Sequence, residues 1–129
     1  MLLTYLLYQR NRPRANFGYT SCMFIVFDIG GTNTRVAASH DGNTVGAPII
    51  YPTPQLFSEG IDALSGIAKK LAGDSAIDGI AGGVPGPMDR GHEQLLKAPN
   101  IKDWNNKPFK KELEERLHTH ARLENDTAM

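Results

Sequence analysis

The stretch Asp28-Ile29-Gly30-Gly31-Thr32-Asn33-Thr34 concentrates the residue types that handle phosphate. Paired glycines let backbone N–H groups come close to an anion, because no Cβ intervenes. Thr32, Asn33 and Thr34 add short hydroxyl and amide donors. Asp28 stands where a carboxylate can reach a magnesium ion through water, since Mg²⁺ keeps much of its hydration. Such a turn holds polyphosphate without a helix N-terminus. Other phosphate signatures are absent: no two of the 13 glycines are two residues apart, which excludes Gly-x-Gly-x-x-Gly, and no Gly-Lys pair exists for a P-loop. A bare Gly-Gly turn would read as an ordinary hairpin. The acid, the double glycine and three polar residues behind a strand favour the anion site.

The elements that mount this turn follow from periodicity. Phe24-Ile25-Val26-Phe27 is a short apolar run ended by Asp28, the pattern of a buried central strand. Thr34 to Ser39 returns as a second strand, Asp41-Gly42-Asn43 suits a tight hairpin, and Val45 to Tyr51 gives a third strand closed by Pro52 and Pro54. These three form an antiparallel meander. Phe57, Ile61, Leu64, Ala68 and Leu71 then recur at helical spacing, with Gly73 as the stop. Ile77 to Val84 reads as a fourth strand, terminated by Pro85-Gly86-Pro87. Asn106 is expected to cap a second helix with Pro108 in its first turn, and Phe109, Leu113 and Leu117 share its apolar face. His120 to Glu124 makes a fifth strand. The order βββαβαβ predicts an α/β fold: a five-stranded mixed sheet with flanking helices and right-handed crossovers.

A chain of 129 residues is one domain's worth, and 40% hydrophobic with 22% charged residues excludes wholesale disorder. The 14 basic and 14 acidic residues cancel, but Arg10, Arg12 and Arg14 precede Met23 with no acid among them. The body from Met23 onward therefore carries 11 basic against 14 acidic side chains, a charge of −3. No nucleic-acid partner is expected, because such a partner needs a basic face. Cys22 is the only cysteine, so no internal disulfide forms and a cytoplasmic location is expected. The longest apolar run of the body, Met23 to Phe27, is far short of a membrane span. Residues 1–22 read as a disordered extension rather than a basic tether or a short membrane-surface anchor, and the arginines that follow their apolar start are the reverse of a secretory signal. The four histidines, His40, His92, His118 and His120, show no metal spacing with Cys22 and read as surface residues.

Phe27 to Thr34 resembles the first phosphate motif of the actin-like ATPase (ribonuclease H-like) fold, and in detail the ROK family of bacterial sugar kinases and related repressors. Gly83-Val84-Pro85-Gly86-Pro87-Met88-Asp89, Ala98-Pro99-Asn100-Ile101 with Trp104, and Leu123-Glu124-Asn125-Asp126-Thr127-Ala128 resemble three further motifs of that family, in the same order. The resemblance spans 23–129 and implies an N-terminal kinase lobe. It further implies glucokinase-like, ATP-dependent phosphorylation of a hexose or N-acetylhexosamine hydroxyl. Carried onto this sequence, Asp126 matches the general base and Asn125 a sugar contact, while Asp28, Gly30, Gly31, Thr32, Asn33 and Thr34 match the ATP phosphate and magnesium site. One carboxylate beside the acceptor hydroxyl is what phosphoryl transfer asks of a general base. Gly86 and Asn100 stay open between two readings: contacts to sugar, or a strand stop and a turn cap. Trp104 reads as a core plug more than as a stacking platform.

The family's second lobe, with its zinc site and remaining sugar ligands, has no counterpart in this sequence. The resemblance also implies that full-length relatives are homo-oligomers. Two other functions stand beside the kinase: a sugar-sensing domain of a ROK-like repressor, and a non-catalytic remnant.

Overall fold

A computed structural model describes residues 23–40 and 44–125. The extension 1–22, the turn at Asp41–Asn43 and Asp126 lie outside these described residues. The strands are β1 (Phe24–Ile29), β2 (Asn33–Ser39), β3 (Ile49–Pro52), β4 (Gly79–Val84) and β5 (Ala121–Asn125), with helices α1 (Phe57–Ala72) and α2 (Phe109–Leu117) between the later ones. They form one five-stranded sheet in the order β3-β2-β1-β4-β5. β1, β2 and β3 pair antiparallel, and β1, β4 and β5 run parallel, as the βββαβαβ reading requires.

Both helices cover the same sheet face. Ile25, Phe27, Ile29, Val36, Ile80, Val84 and Leu123 from that face join Phe57, Ile61, Leu64 and Ala68 of α1 and Phe109, Leu113 and Leu117 of α2 in one buried core. Strand residues of the other parity, such as Asp28 and Arg35, lie on the opposite face and are exposed. Within the core, Phe57, Trp104 and Phe109 meet edge to face at centroid distances of 5.5 to 5.9 Å. Trp104 is 1% exposed, the plug its position suggested, and its ring occupies the space over Gly60, where a Cβ would fall 2.0 Å from the indole. Likewise, β4 needs Gly82 because a Cβ there would lie 2.2 Å from the Phe27 ring. All four histidines, His40, His92, His118 and His120, are exposed.

Several boundaries differ from the sequence reading: β1 runs on to Ile29, β2 starts at Asn33 and β5 is shifted by one residue to Ala121–Asn125. β3 begins at Ile49 instead of Val45, because Pro48 has no N–H to give the ladder; the Gly46 N–H to Ala38 C=O bond (2.9 Å) lies beyond it. β4 begins at Gly79, after Asp78 has clasped Met23 through both its backbone N–H and its carboxylate. Asn106 does not cap α2: it turns the chain at φ 62°, a conformation Asn tolerates, and Pro108 takes the cap position without a side-chain bond.

Candidate active site

The parallel strands β1, β4 and β5 all end at one edge of the sheet, where open α/β sheets place their ligands. Across that edge Asp28 pairs in register with Gly83, which pairs with Glu124, and Val84 pairs with Asn125. Three loops leave from or cross there: the β1–β2 turn, the Pro85-Gly86-Pro87 turn, and the segment around Asn100.

The β1–β2 connection is the tight hairpin expected, with Ile29 opposite Thr34 and a two-residue tip, Gly31 and Thr32. The Gly30 N–H closes the turn on the Asn33 carbonyl at 2.9 Å, so that amide is committed internally. Among the described residues the Gly31 and Thr32 N–H groups have no backbone acceptor. Asp28, Thr32 and Asn33 are exposed and Gly31 is half-buried. Thr34, read as a phosphate donor, is 1% exposed and its hydroxyl lies 2.8 Å from that of Thr53. Alternation along β2 turns its side chain inward, so it braces the turn from below.

Asn100 and Gly31, nominated separately, are brought together: a Cβ on Gly31 would sit 2.7 Å from the Asn100 Cβ and 2.8 Å from its Nδ2. Gly86 backs onto the same segment, with its Cβ position 3.0 Å from the Lys97 carbonyl. The Leu96 N–H binds the Pro87 carbonyl (2.9 Å), and Asn105 holds Ala98 through an Oδ1 to N–H bond of 2.8 Å. The indole N–H of Trp104 donates to the Pro54 carbonyl (2.9 Å), and the Asp103 carboxylate accepts the Phe57 N–H (2.8 Å) at the start of α1. That bond, helped by Lys107, holds the Asp103 carboxyl below its ordinary value. Asn125 ends β5 half-buried, and Asp126 follows it directly.

Several supporting residues escaped the sequence reading. Thr53 sits beneath the turn, and Asn105 and Asp103 fix the Asn100 segment; each acts on residues distant in sequence or through the backbone, which leaves no local pattern to find. Glu124, 7% exposed, is bonded to Arg122 (3.0 Å) and lies 3.5 Å from His92, tying the loop after β4 to β5. Among the described residues, no three His, Cys, Asp or Glu side chains gather as a metal site, and no helix is long and apolar enough to cross a membrane.

The family model described as "ROK family" matches residues 24–129. An N-acetyl-D-glucosamine kinase of Mannheimia succiniciproducens is 33% identical over 107 residues, covering 81% of this chain and 34% of the relative. A ROK family glucokinase from Streptomyces griseus, solved with glucose and AMPPNP, superposes with a TM-score of 0.71 at 26% identity, covering 81% of this chain and 33% of that one. A ROK hexokinase from Thermus thermophilus gives a TM-score of 0.69 at 29% identity, with 81% and 35% covered. The chain thus spans about a third of the length of these relatives. The fold is that of an actin-like ATPase lobe, and the chain belongs to the ROK family.

Proposed function

We propose that this chain is the N-terminal lobe of an ATP-dependent sugar kinase acting on a hexose or N-acetylhexosamine. The observation that carries the reading is the meeting of Gly31 and Asn100 beside the ends of the parallel strands. It sets a glycine turn with unspent amides next to a segment bearing a sugar-type polar side chain. The relatives named above are sugar kinases, and one of them holds glucose with an ATP analogue.

In this reading the Gly31 and Thr32 amides cradle the polyphosphate, and Asn33 and Thr32 side chains add donors at its rim. Asp28 is exposed and makes no ion pair among the described residues, so its carboxylate fits a hydrated magnesium ion. When bound, that ion would neutralise phosphate charge. Asn125 orients a sugar hydroxyl, and Asp126 accepts its proton as the phosphoryl group transfers. Gly86 and Asn100 shape the sugar side through backbone and amide contacts.

Titration with glucose, N-acetylglucosamine and Mg-tripolyphosphate tests the reading. Sugar binding that weakens about tenfold in Asn125→Ala, and survives in Asp126→Asn, supports it. Failure of the wild type to bind either sugar or tripolyphosphate sinks it. A repressor-type sensor would bind sugar without tripolyphosphate, which separates the two functions.

A further inference from the structure

The residue after β3 reaches three alternate positions of the phosphate turn. The Thr53 hydroxyl donates to the Gly30 carbonyl at 2.8 Å, its backbone N–H donates to the Thr32 carbonyl at 2.9 Å, and its Oγ1 lies 2.8 Å from the Thr34 Oγ1. Both threonines are buried, at 6% and 1% exposure. A hydroxyl has one proton. A carbonyl can only accept, so the Thr53 proton goes to Gly30 and the Thr34 hydroxyl must donate to Thr53. The result is a directed chain from Thr34 through Thr53 to the carbonyl of Gly30.

That carbonyl shares its peptide plane with the N–H of Gly31. The peptide is trans, as all in the described chain are, so C=O and N–H point in opposite directions. Pinning the Gly30 oxygen toward Thr53 therefore aims the Gly31 N–H away from Thr53, and that N–H has no backbone acceptor among the described residues. A hydrogen bond to the carbonyl also polarises the amide and makes its N–H a better donor.

We infer that Thr53 is a positioning residue for phosphate recognition: its hydroxyl, backed by Thr34, fixes and polarises the Gly30–Gly31 peptide so that the Gly31 N–H binds an oxygen of a polyphosphate. The inference rests on the kinase reading for its ligand but not for its geometry. Thr53→Val keeps the shape and removes the hydroxyl; Thr53→Ser keeps the hydroxyl.

The full chain is measured two ways: the Gly31 amide resonance and its hydrogen exchange by NMR, and the dissociation constant for Mg-tripolyphosphate. Thr53→Val is expected to shift the Gly31 resonance, speed its exchange and weaken tripolyphosphate about tenfold, with Ile25 and Ile80 amides unchanged. Thr53→Ser is expected to restore both readouts. An unmoved Gly31 amide in Thr53→Val, or equal losses in the valine and serine variants, overturns the inference. Should Thr53→Val not fold, Thr34→Val cuts the chain one bond earlier and is read by the same two outcomes. If the wild type binds no tripolyphosphate, the kinase reading fails separately, and the Gly31 resonance still decides the role of Thr53.

Discussion

Single atoms decide much of this site. At Gly31 the need is for space, since its φ is not positive; any Cβ would push on the Asn100 side chain. Gly31→Ala is therefore expected to displace Asn100 and weaken tripolyphosphate binding by roughly tenfold with little change in melting temperature, as titration and thermal unfolding would show. Tyr51 yields a second prediction. Burial raises its phenol to about 12 from 10.0, with the Thr34 hydrogen bond opposing. A raised folded value means the native state holds the proton longer than the unfolded chain. Its contribution to stability is full below pH 10 and is lost as pH rises toward 12. Tyr51→Phe should flatten that alkaline loss in denaturant midpoints measured across the window. The glycine hairpin was readable because paired glycines behind an apolar run mark a tight turn. Thr53 was not, since a threonine between two prolines carries no signal until β3 is folded against the turn.

Among the elements, the strands and helices were legible wherever one period dominated. The even spacing of Phe57, Ile61, Leu64 and Ala68 gave α1, and the apolar run before Asp28 gave β1. Boundaries moved where a single backbone group ruled, as at Pro48 and Asn106. The start of α1 shows why part of the site stayed hidden. Leu56 offers no side-chain cap, and Asp103, 46 residues on from Phe57, accepts the Phe57 N–H instead. Because that bond depresses the Asp103 carboxyl, its stabilisation is present above the usual carboxylate range and is lost as pH falls through the folded value. Asp103→Ala is expected to lower the melting temperature at pH 7, and the gap from wild type should close in acid. A gap that persists undiminished at low pH would show that the charge is not what holds the helix end.

At the scale of the molecule, the edge where three strands end gathers what the sequence had scattered over a hundred residues. Strand order β3-β2-β1-β4-β5 was not readable from periodicity, which gives elements and not neighbours. Actin-like kinases act by closing two lobes over nucleotide and excluding water. With about a third of the length of its relatives, the isolated chain is expected to release no ADP above background with glucose or N-acetylglucosamine in a coupled assay. Turnover by this polypeptide alone would overturn that expectation.

The wedge over Gly60 has a practical corollary. Trp104 is the sole tryptophan of the chain, so every photon of indole emission comes from the joint between α1 and the Asn100 segment. Its fluorescence is a built-in optical gauge: loosening of that joint should redden the spectrum before the helices themselves melt, and a ligand that tightens it should do the reverse.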